Sequence, residues 1–154
     1  MLPDLDDKGY LPPGLHAASL AEVVSRFGTG SEGRDRQANL LREVVEAAKE
    51  YPTIKRVLVW GSFVTAKVEP EDLDYSLVVS VMHRWTAVAK EHRRFLTPLD
   101  ARLRYGADPI YFVTPDFPVD LYVEALDFMC STQRGFPRGI AEVSLRGEIA
   151  EGAS

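Results

Sequence analysis

An apolar run that stops at Gly-Ser, then a short loop, then two aspartates opening a second apolar run leave this chain few folds to adopt. The stretch reads Trp60-Gly61-Ser62, nine intervening residues, and Asp72-Leu73-Asp74-Tyr75. Val57 to Trp60 and Leu77 to Val79 are apolar throughout, and the first run has the pattern of a strand buried on both faces. Strand side chains alternate between faces, so Asp72 and Asp74 are expected on the same side of a sheet edge. Two carboxylates there repel, and each is costly to desolvate alone. A divalent cation held between them removes both problems.

The residues around the aspartates extend that chemistry. Gly61, directly after a strand, permits backbone geometry closed to other residues and lets a ligand approach the main chain. Ser62 supplies a hydroxyl, and amides following it point at an anion if they start a helical turn. Thr65 and Lys67 add a donor and a positive charge nearby. Asp72 and Asp74 offer the oxygen ligands that magnesium prefers, with phosphate oxygens completing its octahedron. An anion site followed by a metal site suits a magnesium-bound nucleoside triphosphate.

Elsewhere the pattern predicts a frame for this stretch. Residues 1–17 read as an irregular arm, because Pro3, Gly9, Pro12, Pro13 and Gly14 interrupt any regular element. Ser19 to Glu22 has capping-box spacing and predicts a helix over 20–27. Residues 28–33 read as a loop, and its glycines lack the preceding strand and following Lys-Ser/Thr of a phosphate-binding loop. Leu40, Leu41, Val44, Val45 and Ala48 recur at helical spacing within 34–51, and Pro52 ends that helix. Strands are predicted over 54–60, 73–81 and 108–114, with helix over 83–105 divided at Pro98. Val119, Tyr122, Val123, Leu126, Met129 and Cys130 form one helical stripe. Residues 135–145 read as a Gly/Pro loop leading to a short apolar piece, Ile140 to Leu145, and 146–154 as a small polar tail. No repeat or low-complexity linker appears, so 1–154 is expected to be one α+β (α/β) domain.

Composition removes several classes. At 154 residues the chain is long enough to bury a core, and 45% hydrophobic with 27% charged residues is a globular balance. No apolar run approaches the ~20 residues of a membrane span. The acidic start, Met1-Leu2-Pro3-Asp4-Leu5-Asp6-Asp7, is unlike a signal peptide. Cys130 is alone, so disulfide frameworks and thiolate clusters are not expected, and a cytoplasmic setting is the default. A net charge of −5 argues against general duplex DNA binding. The clusters Arg34/Arg36, His92/Arg93/Arg94, Arg102/Arg104 and Arg134/Arg138 leave a local basic groove open but read as solvated faces.

The spacing Trp60-Gly61-Ser62…Asp72-Leu73-Asp74-Tyr75 resembles the signature of the polymerase-β-like nucleotidyltransferase superfamily. The wider context, from Gly9-Tyr10-Leu11-Pro12-Pro13-Gly14 through Lys67 and Pro70 to Asp74, is similar to a small bacterial family of minimal nucleotidyltransferase domains. The resemblance implies a nucleotidyltransferase-like fold, a small mixed β-sheet flanked by helices. It implies that Gly61 and Ser62 hold the triphosphate of a nucleoside triphosphate such as ATP, with Lys67 as a further contact. It also implies that Asp72 and Asp74 hold two magnesium ions, or manganese in their place, while a nucleotidyl group moves to a hydroxyl.

A third carboxylate is expected on a neighbouring strand, as metal ligand or base. Asp120 falls, with Glu124 and Asp127, on the face opposite the apolar stripe of its helix, where it favours the helix dipole. Asp108 opens the other clear strand and is the preferred third ligand, with Asp120 the second candidate. Arg134 and Arg138 either contact phosphate or a nucleic-acid acceptor, or hold their turn structurally. His16, His83 and His92 have no ligand spacing, and Trp60 and Phe63 read as core rather than base-stacking residues.

The acceptor hydroxyl is left open between a protein side chain, an RNA end and a small molecule, and a protein partner of the toxin–antitoxin kind is implied by analogy alone. The alternative reading is a catalytically silent binding module of the same fold, antitoxin-like or regulatory.

Overall fold

In a computed structural model of the chain, the described residues are 1–80, 82–97, 110–114, 126 and 137–145. They form a mixed α+β arrangement around a five-stranded sheet. The strands are β1 (Gly14–Ala18), β2 (Ile54–Trp60), β3 (Asp74–Ser80), β4 (Ile110–Thr114) and β5 (Gly139–Ser144), ordered β1-β5-β2-β3-β4. β5 runs parallel to β1 and antiparallel to β2; β3 is antiparallel to β2 and parallel to β4. Among the described residues the helices are α1 (Leu20–Phe27), α2 (Glu32–Lys49) and α3 (Arg93–Leu96), and Leu126 is also helical.

One face of the sheet carries the helices. Val57, Val59, Tyr75, Leu77, Val79, Ala141 and Val143 share a buried cluster with Val23, Leu41, Val44, Val45 and Leu96 from the helices. Leu58, Trp60, Val78 and Ile140 alternate to the other face and are also buried. β2 is thus buried on both faces over its last four residues, as its apolar run predicts.

α1 begins where its sequence predicts, with the Ser19 hydroxyl accepting from the Glu22 N–H at 3.1 Å. α2 begins two residues before the predicted Arg34, capped by Ser31, whose hydroxyl accepts from the Arg34 N–H at 3.1 Å. Gly33 argues against helix on propensity. Its missing side chain lets the Glu69 carboxylate pack against the first turn of α2.

Three expectations are corrected. The arm is not irregular throughout: residues 14–18 form β1, pinned beside β5 by the Gly14↔Gly139 to Ala18↔Val143 register. The short apolar piece 140–145 is mostly β5, a strand inside the sheet. The long helix over 83–105 is absent from its described part, where short 3-10 turns at Trp85–Ala87 and Lys90–His92 precede α3. Val88 and Ala89 are extended there, with ψ of 124 and 147, which buries Val88. The Tyr51 hydroxyl stands in for a helical partner, accepting from the Ala89 N–H at 2.9 Å and lying 2.6 Å from His92 Nδ1. Pro98, the helical stripe 119–130 and the tail 146–154 lie outside the described residues or nearly so, with Leu126 the exception.

Candidate functional site

The C-terminal end of β2 and the N-terminal ends of β1, β3, β4 and β5 meet at one edge of the sheet, because of the pairing directions. At that edge Trp60 and Asp74 are register partners. Gly61 follows with φ +74, a conformation that L side chains adopt only under strain. The chain then turns sharply through a 3-10 turn, Gly61–Val64. A Cβ added at Gly61 would stand 2.9 Å from Asp74 Cγ and overlap Oδ2. The Gly-Ser turn and the second aspartate of the signature are therefore in contact, and only glycine fits between them.

Behind this contact the frame is tight. The Trp60 indole N–H donates to the Ser76 hydroxyl at 3.1 Å, and Phe63 is fully buried. Both aromatics are core residues, as the sequence suggests. Ser62 is half-buried, and its carbonyl accepts from the Thr65 hydroxyl at 2.7 Å and the Thr65 N–H at 3.2 Å.

The connection from Ser62 to Asp74 is held from two sides. From α2, the Arg34 guanidinium donates to the carbonyls of Phe27 at 2.8 Å, Phe63 at 2.9 Å and Thr65 at 2.7 Å, and also to that of Lys67. Gln37 Nε2 donates to the Pro70 carbonyl at 2.6 Å. From the arm, the Gly9 carbonyl accepts from the Ala66 N–H at 2.8 Å, and Tyr10 bridges Thr65. Arg34 is only 6% exposed, so reading it as part of a solvated cluster is corrected. Burial lowers its pKa, and the nearby Glu69 carboxylate opposes that shift. This loop organiser escaped the sequence reading because its carbonyl partners lie up to 33 residues away. The faint signal was a glycine tolerated in the first turn of a helix.

Asp72 behaves differently from Asp74. β3 starts at Asp74, so Asp72 stands outside the strand and the alternation argument for a common side does not apply to it. It is exposed and lines a groove of about 360 Å³ with Arg36, Gln37, Asn39, Leu40 and Glu43 of α2. Lys67 is exposed and lines another groove, about 340 Å³, with Arg26, Thr29, Gly30 and Val68. Asp108, the preferred third carboxylate, and Asp120, its competitor, lie outside the described residues. The first described residue of β4, Ile110, pairs with Ser76, two residues after Asp74. Among the described residues no three His, Cys, Asp or Glu side chains stand together as a metal group. Among them too, no helix is long and apolar enough to cross a membrane.

The histidines are engaged in packing. His16 Nε2 lies 2.6 Å from the Pro12 carbonyl, and His83 Nδ1 lies 2.8 Å from the Thr53 hydroxyl. His83 also meets the Trp85 ring edge-on at 4.2 Å, and burial lowers its pKa.

Comparison with curated proteins and with solved structures returned no match. A family model does match, over residues 3–144, from the arm to the last residue of β5, and the chain belongs to that family, a family of unknown function (DUF6932).

Proposed function

We propose that this protein is a magnesium-dependent nucleotidyltransferase, transferring a nucleotidyl group from a nucleoside triphosphate to a hydroxyl of a protein, RNA or small-molecule acceptor. The observation that carries the reading is the contact between Gly61 and the Asp74 carboxylate at a sheet edge. A side-chain-free turn packed on a carboxylate lets an anionic ligand approach the backbone beside a metal-binding oxygen. The donor set fits magnesium: Asp74 is half-buried, Asp72 is exposed, and both present hard oxygen atoms.

In this reading Asp72 and Asp74 hold the metal ions, with Asp108 as the third carboxylate. When bound, magnesium supplies positive charge to the triphosphate and to the attacking and leaving oxygens. Gly61 and Ser62 seat the phosphate chain, and Lys67 is a further contact. Arg34 acts at a distance, fixing the carbonyls of Phe63, Thr65 and Lys67 and so the path of the turn. Asp108 holds a metal ion or accepts the acceptor's hydroxyl proton.

The test incubates the full chain with each labelled nucleoside triphosphate, magnesium or manganese, and total RNA or cell lysate, beside Asp72→Ala/Asp74→Ala. Label transfer that disappears in the variant is the expected result. Metal-dependent nucleotide binding without transfer points to the silent binding module instead. Neither binding nor transfer with any nucleotide overturns the proposal.

A further inference from the structure

We propose that Arg138 is the cationic anchor for the phosphate chain at the Gly61–Asp74 edge; this rests on the nucleotidyltransferase reading and deepens it. Arg138 immediately precedes β5, which is antiparallel to β2 with Val59 opposite Ala141. β5 therefore enters the sheet at the edge where β2 leaves it and Gly61 turns. β5 also packs against the Gly61–Val64 turn.

The face is set by alternation. Ala141, Val143 and Leu145 belong to the helix-side cluster with Val57 and Val59, whereas Ile140 is buried outside it. Pro137 makes a β-bridge, so Arg138 is held between that bridge and β5, and carrying the two-residue period back from Ile140 brings it to the face of Trp60 and Asp74. Its backbone is pinned: the Gly139 N–H donates to the Leu11 carbonyl at 2.8 Å, and Gly139 pairs with Gly14.

The chemistry follows from what the guanidinium lacks. Arg138 is half-buried, and its Nε is a buried donor with no hydrogen-bond partner. Guanidinium nitrogens only donate, so the missing partner is an acceptor. An anion of several oxygens matches the planar fork of donors better than a single carbonyl does. At this edge the Asp74 carboxylate repels a bare anion, and a fixed positive charge on the same face offsets that repulsion. A phosphate chain seated beside Gly61 is the occupant these features describe.

The experiment titrates the full-length protein calorimetrically with inorganic tripolyphosphate, with ATP in magnesium, and with adenosine as a neutral control. Arg138→Ala is expected to weaken tripolyphosphate and ATP at least tenfold and leave adenosine unchanged. Arg138→Lys, which keeps the charge without the fork, is expected to fall between. If Arg138→Ala melts early, the comparison is read on Arg138→Lys against Arg138→Gln, and equal binding by these two overturns the anchor. Wild-type affinity in Arg138→Ala, or no tripolyphosphate binding by the wild type, also overturns it. Label transfer undiminished in Arg138→Ala removes the anchor and leaves the transferase standing. Arg138-dependent tripolyphosphate binding without label transfer keeps the anchor and removes the transferase.

Discussion

The Arg34 guanidinium and the Thr65 carbonyl, 31 residues apart, meet at 2.7 Å beneath the loop that carries Asp72. Arg34→Ala leaves buried carbonyls unpaired, each costing about 1–3 kcal/mol. The expected loss is at least about 3 kcal/mol, which lowers the melting temperature by roughly 6 °C or more at this size. Arg34→Lys recovers only part, because one ammonium does not reproduce the fork. Calorimetric melts of both variants check this; a shift below about 2 °C for Arg34→Ala contradicts the clamp.

Gly61→Ala places a side chain at φ +74 and against Asp74 Oδ2. The backbone alone costs about 1–2 kcal/mol, and the overlap adds to that. In the Gly61→Ala/Asp74→Ala double variant the overlap with the carboxyl group is gone and only a tight 3.1 Å approach to the residue-74 Cβ remains. The double-mutant cycle should therefore show a favourable coupling of about 1 kcal/mol in denaturant unfolding. Additivity of the two single changes would mean that the two residues do not touch.

His83 gives a pH dependence whose sign is fixed by burial. Its folded-state pKa is lowered, so below the unfolded value of about 6.5 the unfolded chain takes up the proton first. The stability this residue contributes is fully present above that value and declines as pH falls toward the folded-state pKa. His83→Gln should flatten the fall as pH drops below about 6.5 relative to the wild type. Parallel curves for the two proteins across that window would remove His83 as the cause.

Asp108 and Asp120 make opposite predictions. Losing a residue that supports a metal ligand typically costs 10- to 100-fold, so losing a ligand costs about a hundredfold or more. Asp108→Asn should lower label transfer by at least that factor, and Asp120→Asn by less than about fivefold. The reverse pattern would move the third carboxylate to Asp120.

The elements legible in the sequence were those whose signals are local. α1 has its cap and stripe within nine residues, and β2 has its apolar run; both were bounded correctly. β1 and β5 were not legible as strands. Gly14-Leu15-His16-Ala17-Ala18 has little β propensity, and Gly139 to Ser144 is short and follows a Gly/Pro turn. β1 becomes a strand by pairing with β5, and β5 by pairing with both β1 and β2, partners far away in the chain that no local window contains. Gly-Ser and Asp-x-Asp were legible as a spacing, but the Gly61–Asp74 contact was not, because it depends on Trp60 and Asp74 being register partners. Arg34 was not, because its helical position resembles that of a surface arginine until the carbonyls from the loop arrive.

That pairing of chain ends also sets the order in which the sheet can form. β1 and β2 are separated in the sheet by β5, so their shared neighbour is synthesised well after both. Until Gly139 to Ser144 insert, the edges of β1 and β2 present unpaired backbone, and residues 14–18 have no strand to join. Closing so long a segment before any contact rewards it makes a slow step in folding. Folding should therefore be rate-limited by capture of β5, with the α1–α2–β2–β3 unit collapsing first and waiting for it.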